Sequence, residues 1–314
     1  MNPDLPEEAV ALRASADAAF AALGSVDAAR RAEEDPGVRS GEVLSTLREL
    51  GLDDLDPRLD AITLAAAAAL CEAAGRVALP SPVAAMLVRD QQGRPTAVVP
   101  DRTSRVDHGD LLPEWRVGTL DGRGGVAVVG GIRLGTRLGP FVTDLELTDD
   151  LVAPPLSDVL LQLTLTCWTV LGTVDRAVEL AVDHVAGRVQ FGKPLSAFQS
   201  VQFQLADAAV AVAVLRELAA FTLWRLDVAG ADARADVLAL RLHALEVARS
   251  VLRTCQQLHG AAGVCDEYDI SVLTRMVQPA LRLPCGVERA ASALVAAIDA
   301  DGFDGLFLHG TAGR

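Results

Sequence analysis

The chain has 314 residues and a mass of 32.9 kDa, about twice the roughly 150-residue length of a typical domain, so we expect two or three domains. A formal net charge of -14 opposes approach to a phosphate backbone and excludes nucleic acid from the expected partners. Hydrophobic residues make up 51% of the chain but aromatic residues only 4%, and this composition favours closely packed helices.

The cysteines and the apolar segments of the chain indicate the cellular compartment in which we expect the protein. The five cysteines are odd in number and form no C-x-x-C pair, so neither a disulfide framework nor a metal site is predicted. The first residues lack the basic segment and apolar run of a signal peptide. The apolar runs also fall short of the ~20 residues that span a bilayer. We therefore expect a cytoplasmic protein that does not enter a membrane.

Helix-type patterns separated by Pro and Gly signals dominate the first part of the chain. The predicted helices cover residues 6–31, 41–50, 57–76 and 83–88. Helical periodicity is then lost and glycines become frequent, and three short runs favour strands, at 96–99, 125–129 and 141–147. These patterns predict a helical N-terminal domain over residues 1–90 and a small β-domain over residues 91–155.

Helical periodicity resumes after two consecutive prolines, Pro154 and Pro155. Four helices are predicted, at 156–187, 196–228, 231–259 and 284–299, with Pro284 in the first turn of the last one. Long helices with short connections pack as an antiparallel bundle, so residues 156–314 are predicted to form a C-terminal four-helix bundle. The expected fold class is mainly α with a small middle β-domain.

Two motifs stand out in the predicted bundle. The run R-V-Q-F-G-K-P-L occupies residues 188–195, and taken alone it is typical of a helix end in which Gly192 is left-handed and Pro194 prevents continuation. The run Q-L-H-G-A-A-G occupies residues 257–263, where small residues leave the backbone open to another chain or a ligand. Within it, His259 is expected to be a hydrogen-bonded residue at a helix end rather than a catalyst.

Taken together, these two runs and the later Arg275 resemble the acyl-CoA dehydrogenase family in their order and spacing, and the resemblance extends over essentially the whole chain. The resemblance implies a helical N-terminal domain, a middle β-domain and a C-terminal four-helix bundle through which subunits associate. It also implies an FAD bound across a subunit interface, an acyl-CoA substrate and an electron-transfer flavoprotein as electron acceptor.

The resemblance further implies which residues face the cofactor. Arg188 looks like the residue that meets the FAD pyrophosphate of a neighbouring subunit, a role that suits a guanidinium beside paired phosphates. The other residues implied at the dinucleotide are Gln190, Phe191, Phe198, Gln199, Gln257, Gly260 and Ala261. Ala261 stands where many relatives have a second glycine.

The reaction of the family needs a carboxylate base, which removes the α-proton of the thioester while the β-hydride passes to the flavin. Pro284 stands at one of the two family positions for this glutamate, and Val228 stands at the other. Asp227 is the remaining candidate base, although neighbouring helix positions point about 100° apart. The family's Thr-Glu-Pro run is also missing from residues 91–155.

Three hypotheses follow from this pattern. The first is a subunit that contributes FAD-binding residues to an acyl-CoA dehydrogenase while a partner subunit supplies the catalytic glutamate, as in two-subunit actinobacterial enzymes of sterol side-chain degradation. The second is a self-sufficient homo-oligomeric dehydrogenase that uses Asp227 or another base. The third, from a different class, is a flavin-free scaffold or binding protein on the same fold.

Overall fold

The computed structural model describes residues 5–101, 103–132 and 138–301. Helices occupy both ends of this part of the chain, and a five-stranded sheet lies between them. The prediction of a mainly helical fold with a small middle sheet is confirmed. The domain boundaries at residues 90 and 155 stay predictions, and the strands of the sheet fall between Thr96 and Leu147.

The N-terminal helices are α1 (Glu7–Ala22), α2 (Asp27–Glu34), α3 (Leu44–Glu49), α4 (Ala61–Arg76) and α5 (Val83–Leu87). The prediction of one helix over residues 6–31 is wrong, because the chain turns between α1 and α2 at Gly24 and Ser25, both of which have positive φ angles. One π-helical turn, Arg39–Val43, leads directly into α3.

Helix α4 crosses the first bundle helix, α6 (Leu156–Gly187), at the centre of the molecule. A Cβ atom on Gly75 would lie 1.9 Å from the carbonyl oxygen of Thr169, and one on Gly172 would lie 2.0 Å from that of Glu72. Only glycine therefore permits this approach of the two backbones. By length and composition α6 is apolar enough to cross a membrane, yet 78% of its most apolar window is buried inside this fold.

The sheet contains β1 (Thr96–Val98), β2 (Arg105–Asp107), β3 (Glu114–Gly118), β4 (Gly124–Ile132) and β5 (Val142–Leu147), in the spatial order β1-β3-β4-β5-β2. The β1–β3 pair is parallel and the other pairs are antiparallel. Strands β2 and β3 were not predicted. In β3 the polar residues Glu114 and Arg116 alternate with the buried apolar residues Trp115 and Val117. This alternation is the sequence signal that would have found the strand.

The C-terminal part continues from α6 with a short hairpin, β6 (Val189–Gln190) and β7 (Lys193–Pro194), and then α7 (Gln199–Ala229), α8 (Arg234–His259), α9 (Asp269–Met276), α10 (Gln278–Arg282) and α11 (Val287–Ala300). The prediction that Pro284 lies in the first turn of the last helix is wrong, because α11 begins three residues later. Helices α9 and α10 were missed because each is short.

Candidate functional site

The R-V-Q-F-G-K-P-L motif forms the hairpin that joins α6 to α7. Phe191 and Gly192 occupy its two-residue turn with φ angles of 54° and 78°, so the prediction of a left-handed Gly192 is confirmed. A phenylalanine in this region is unusual, since two positive φ angles in a hairpin turn favour Asn and Gly. The Phe191 side chain is 90% exposed and forms a T-shaped ring pair with Phe198, with centroids 6.3 Å apart.

The Q-L-H-G-A-A-G motif ends α8 and enters a 3-10 turn, Gly260–Val264. Gly260 has a φ of 62°, and a Cβ atom placed on it would have no neighbour within 4 Å. Gln257 and Ala261 are exposed beside it. The prediction of an open, small-residue helix end is therefore confirmed at Gly260.

Ring stacking joins these two motifs. His184 in the last turn of α6 stacks on His259, the last residue of α8, with centroids 4.4 Å apart and planes 25° apart. Helix α7, which connects α6 to α8 along the chain, brings the chain back to the other end of the bundle. The C-terminal ends of α6 and α8 therefore lie side by side. The structure thus brings all eight residues implied at the cofactor to one end of the bundle.

The polar side chains at this end are free within the described part of the chain. Arg188, Gln190, Gln199 and Gln257 are all exposed, and their side chains have no hydrogen-bond or salt-bridge partner among residues 5–101, 103–132 and 138–301. An unpaired guanidinium, three amides and an open glycine backbone match the donors that a dinucleotide requires. Sequence reasoning missed Lys193, whose Nζ lies 4.2 Å from the centroid of the Phe198 ring.

A second place of interest is a cavity between the sheet and the bundle. It has a volume of about 110 Å³ and is lined by α5, β1, β2, α6 and the segment before α11. It is smaller than the ~150 Å³ engineered cavity that holds one benzene molecule, so three fused flavin rings do not fit. Pro284, which stands at a family position for the glutamate, lines this cavity.

Asp107 at the end of β2 is a carboxylate on the cavity wall. Burial raises the pKa of Asp107 to about 7, and the nearby Arg39 guanidinium opposes that shift. The neighbouring His108 is fully enclosed, and burial followed by repulsion from Arg39 lowers the pKa of His108 to about 3. About a third of the Asp107 side-chain surface remains exposed.

The candidate base Asp227 lies elsewhere. It is exposed two residues before the end of α7, about 42 Å along the helix from Gln199 at 1.5 Å per residue. Asp227 and Val228 are not among the described residues that line the cavity. A catalytic role for Asp227 stays a prediction that the geometry does not support.

Comparison with known proteins agrees with this arrangement. A family profile described as acyl-CoA dehydrogenase, C-terminal domain, matches residues 164–294, which contain both motifs. Residues 164–294 are therefore similar to the C-terminal domain of acyl-CoA dehydrogenases. Members of this family are FAD-dependent oxidoreductases.

Curated relatives match about a third of the chain. The acyl-CoA dehydrogenase FadE28 of Mycobacterium tuberculosis is 38% identical over 97 residues, 31% of this chain and 28% of the relative. The acryloyl-CoA reductase (NADH) of Anaerotignum propionicum is 33% identical over 105 residues, 33% of this chain and 26% of the relative. The matched segment therefore spans about a quarter of the length of these relatives.

Solved structures share the fold over nearly the whole chain. A variant of the Tcur3481–Tcur3483 steroid ACAD has a TM-score of 0.79 at 20% identity and covers 95% of this chain and 99% of its own. The ChsE4–ChsE5 complex from Mycobacterium tuberculosis has a TM-score of 0.74 at 17% identity, with 97% and 98% covered. A glutaryl-CoA dehydrogenase from Mycobacterium smegmatis in complex with FADH2 has a TM-score of 0.70 at 17% identity, with 94% and 95% covered.

Proposed function

We propose that this chain is a subunit of a heteromeric acyl-CoA dehydrogenase that contributes one half of an FAD site and leaves the catalytic base to its partner. The observation that carries the proposal is the contrast at the two candidate places. One end of the bundle presents seven exposed residues of the cofactor-facing set together with the half-buried Phe198. By contrast, Pro284 lines a cavity of only about 110 Å³ at the place where a catalytic subunit needs a glutamate and a flavin.

The proposed division of labour follows from side-chain chemistry. Arg188 binds the pyrophosphate, since a planar guanidinium donates two parallel hydrogen bonds to paired oxygens. Gln190, Gln199 and Gln257 donate to and accept from the adenosine part, and Phe191 supplies an apolar surface beside it. Gly260 lets the cofactor approach the α8 terminus because no side chain stands there.

The proposed reaction is α,β-dehydrogenation of an acyl-CoA thioester. The partner's glutamate takes the α-proton and a double bond forms between the α- and β-carbons. When bound, FAD supplies the hydride acceptor. An electron-transfer flavoprotein is the proposed recipient of the two electrons. A sterol-derived acyl group is the proposed substrate class, because one of the solved structures with a similar fold is a steroid ACAD.

The surface of α7 supports a protein partner. Phe203, Val210 and Val214 on this helix are 59%, 63% and 50% exposed. A helix with apolar residues around its whole circumference is normally covered on every side. We propose that a second family subunit covers this face, as the pairing of differently named subunits in the similar solved structures suggests.

The test is to purify the chain alone and together with a glutamate-bearing family subunit from the same genome, and to record the visible spectrum of each sample. We expect a flavin band only in the complex and bleaching of that band by acyl-CoA. Stoichiometric FAD on the lone chain, bleached by acyl-CoA, would favour a self-sufficient enzyme and make Asp227 the first residue to mutate. A stable complex without flavin would favour a scaffold.

A further inference from the structure

The two stacked imidazoles lie behind the proposed cofactor surface. His259 is 8% exposed, and its Nδ1 lies 2.7 Å from the carbonyl oxygen of Cys255, which fixes its ring on α8. The ring of Tyr268 meets that of His184 edge-on from the loop before α9, with centroids 6.5 Å apart. His184 is therefore held between two rings from different segments.

Backbone contacts connect this pair to the cofactor-facing residues. The backbone N–H of Arg188 donates to the carbonyl oxygen of His184 at 2.9 Å, so the ring that stacks and the start of the hairpin share one turn. On the other side, Gln257 precedes His259 by two residues, and Gly260 follows it and donates its N–H to the carbonyl oxygen of Gln257. A shift of one ring against the other displaces Arg188 relative to Gln257.

The surroundings of His184 disfavour its protonated form. Partial burial, then His259 and Arg188, lower the pKa of His184. The carboxylates on the neighbouring loop and helix are already paired, Asp266 with Arg275 at 2.8 Å and Asp269 with Arg30 at 2.9 Å. Tyr268 contributes its ring to the surroundings of His184, with the two ring planes 81° apart. Glu267 and, on α6, Asp183 are exposed to solvent.

Building on the proposed function, we infer that His184 and His259 form a positioning pair that keeps the two halves of the FAD-contacting surface in register while His184 is neutral, and that protonation of His184 releases FAD. Neither histidine touches the cofactor in this account. They act through Arg188 on one side and through Gln257 and Gly260 on the other.

The expected pH dependence follows from the direction of the pKa shift. Above about pH 7 the His184 imidazole is neutral whether or not the stack is formed, so FAD retention by the complex is constant. Below about pH 6.5 the separated imidazole gains a proton more readily than the stacked one, and the stack loses stability. Retention is therefore expected to fall as the pH falls through this range.

Two substitutions of His184 distinguish the effect of its ring from the effect of its protonation. His184→Phe keeps a ring against His259 but does not titrate, and it is expected to hold FAD as the wild-type complex does at pH 8 and to stay unchanged at pH 5.5. His184→Ala removes the ring and is expected to weaken FAD binding about 3- to 10-fold at both pH values. Arg48→Ala, an exposed arginine on α3, is the matched surface control.

The measurement is FAD retention by the heteromeric complex after gel filtration at pH 8 and pH 5.5, together with hydrogen exchange of amides 188–195 in the lone chain. Loss of retention at pH 5.5 in the wild type but not in His184→Phe supports the pair. Equal loss in both, or tighter binding on acidification, overturns it. A complex without FAD at pH 8 refutes the proposed function, and the hairpin exchange then still decides whether the pair sets the register.

Discussion

The bundle end that carries Arg188 and Gln257 differs from the cavity between the sheet and the bundle in what each place lacks. The first lacks hydrogen-bond acceptors, and the second lacks space. At the bundle end, Arg188 and Gln257 are exposed donors without acceptors in the described chain. In the cavity between the sheet and the bundle, space rather than hydrogen-bonding capacity is missing, since its volume is only about 110 Å³. The bundle end therefore offers exposed hydrogen-bond donors to a ligand, whereas the cavity is too small to hold a large one.

This difference has a physical origin in the helices that frame each place. The cavity is enclosed by α5, β1, β2 and α6, and its wall includes Thr169, whose carbonyl oxygen lies at the close approach of α6 to Gly75. The bundle end is open because the hairpin projects beyond α6 and nothing in the described chain covers it. The two places therefore differ in openness although both are bordered by the same helix, α6.

The largest expected effect is at the bundle end. Arg188→Ala in the complex should weaken FAD binding about 10- to 100-fold, because the variant loses charge-assisted hydrogen bonds to the pyrophosphate. Arg188→Lys keeps the charge without the planar fork and should lie between Ala and wild type. Fluorescence titration of FAD measures both. Unchanged affinity in Arg188→Ala would remove this residue from the site.

The next effect is at the crossing of α4 and α6, where a cavity-lining residue, Thr169, lies against Gly75. Gly172→Ala places a methyl group against the carbonyl oxygen of Glu72 and should cost about 1–3 kcal/mol of unfolding free energy. Gly187→Ala is the control, because a Cβ atom there has no neighbour within 4 Å. Urea denaturation of the lone chain compares them. Equal midpoints for the two variants would show that the crossing is looser than described.

A smaller effect is expected from the carboxyl group on the cavity wall. The raised pKa of Asp107, about 7, means that its ionised form is disfavoured in the folded chain, so its contribution to stability is greatest below about pH 4 and is lost as the pH rises through 7. Asp107→Asn should therefore gain stability relative to wild type between pH 5 and pH 8. Because a third of the side chain is exposed, the gain is expected to be modest. Thermal melts across that range measure it, and a difference that does not change with pH would contradict the assignment.

The smallest effect is expected from restoring a carboxylate to the cleft. Pro284→Glu should give the lone chain neither bound flavin nor dehydrogenase activity, because the cavity remains too small for the cofactor. The same spectrum and acyl-CoA assay used for the wild type measure this. A flavin band in this variant would mean that the missing glutamate, and not the closed cavity, separates this chain from a catalytic subunit.

Local sequence patterns predicted much of the secondary structure and of the candidate site. They missed the contacts between residues that are far apart in the sequence. The helix ends at residues 187 and 259 and the left-handed Gly192 follow from glycine and proline punctuation. His259 was expected to be hydrogen-bonded, and it is, but its stacking on His184 joins residues 75 positions apart and leaves no local signal. The same holds for the contact of Gly75 with Thr169, which only the packed helices reveal.

The most direct test of the half-site account is native mass spectrometry of the chain alone and of its complex with a glutamate-bearing family subunit. The account predicts no FAD on any oligomer of the lone chain and one FAD for each pair of different subunits, because only the partner's cleft has room for the flavin. One FAD for each copy of this chain, in the absence of a partner, would contradict it.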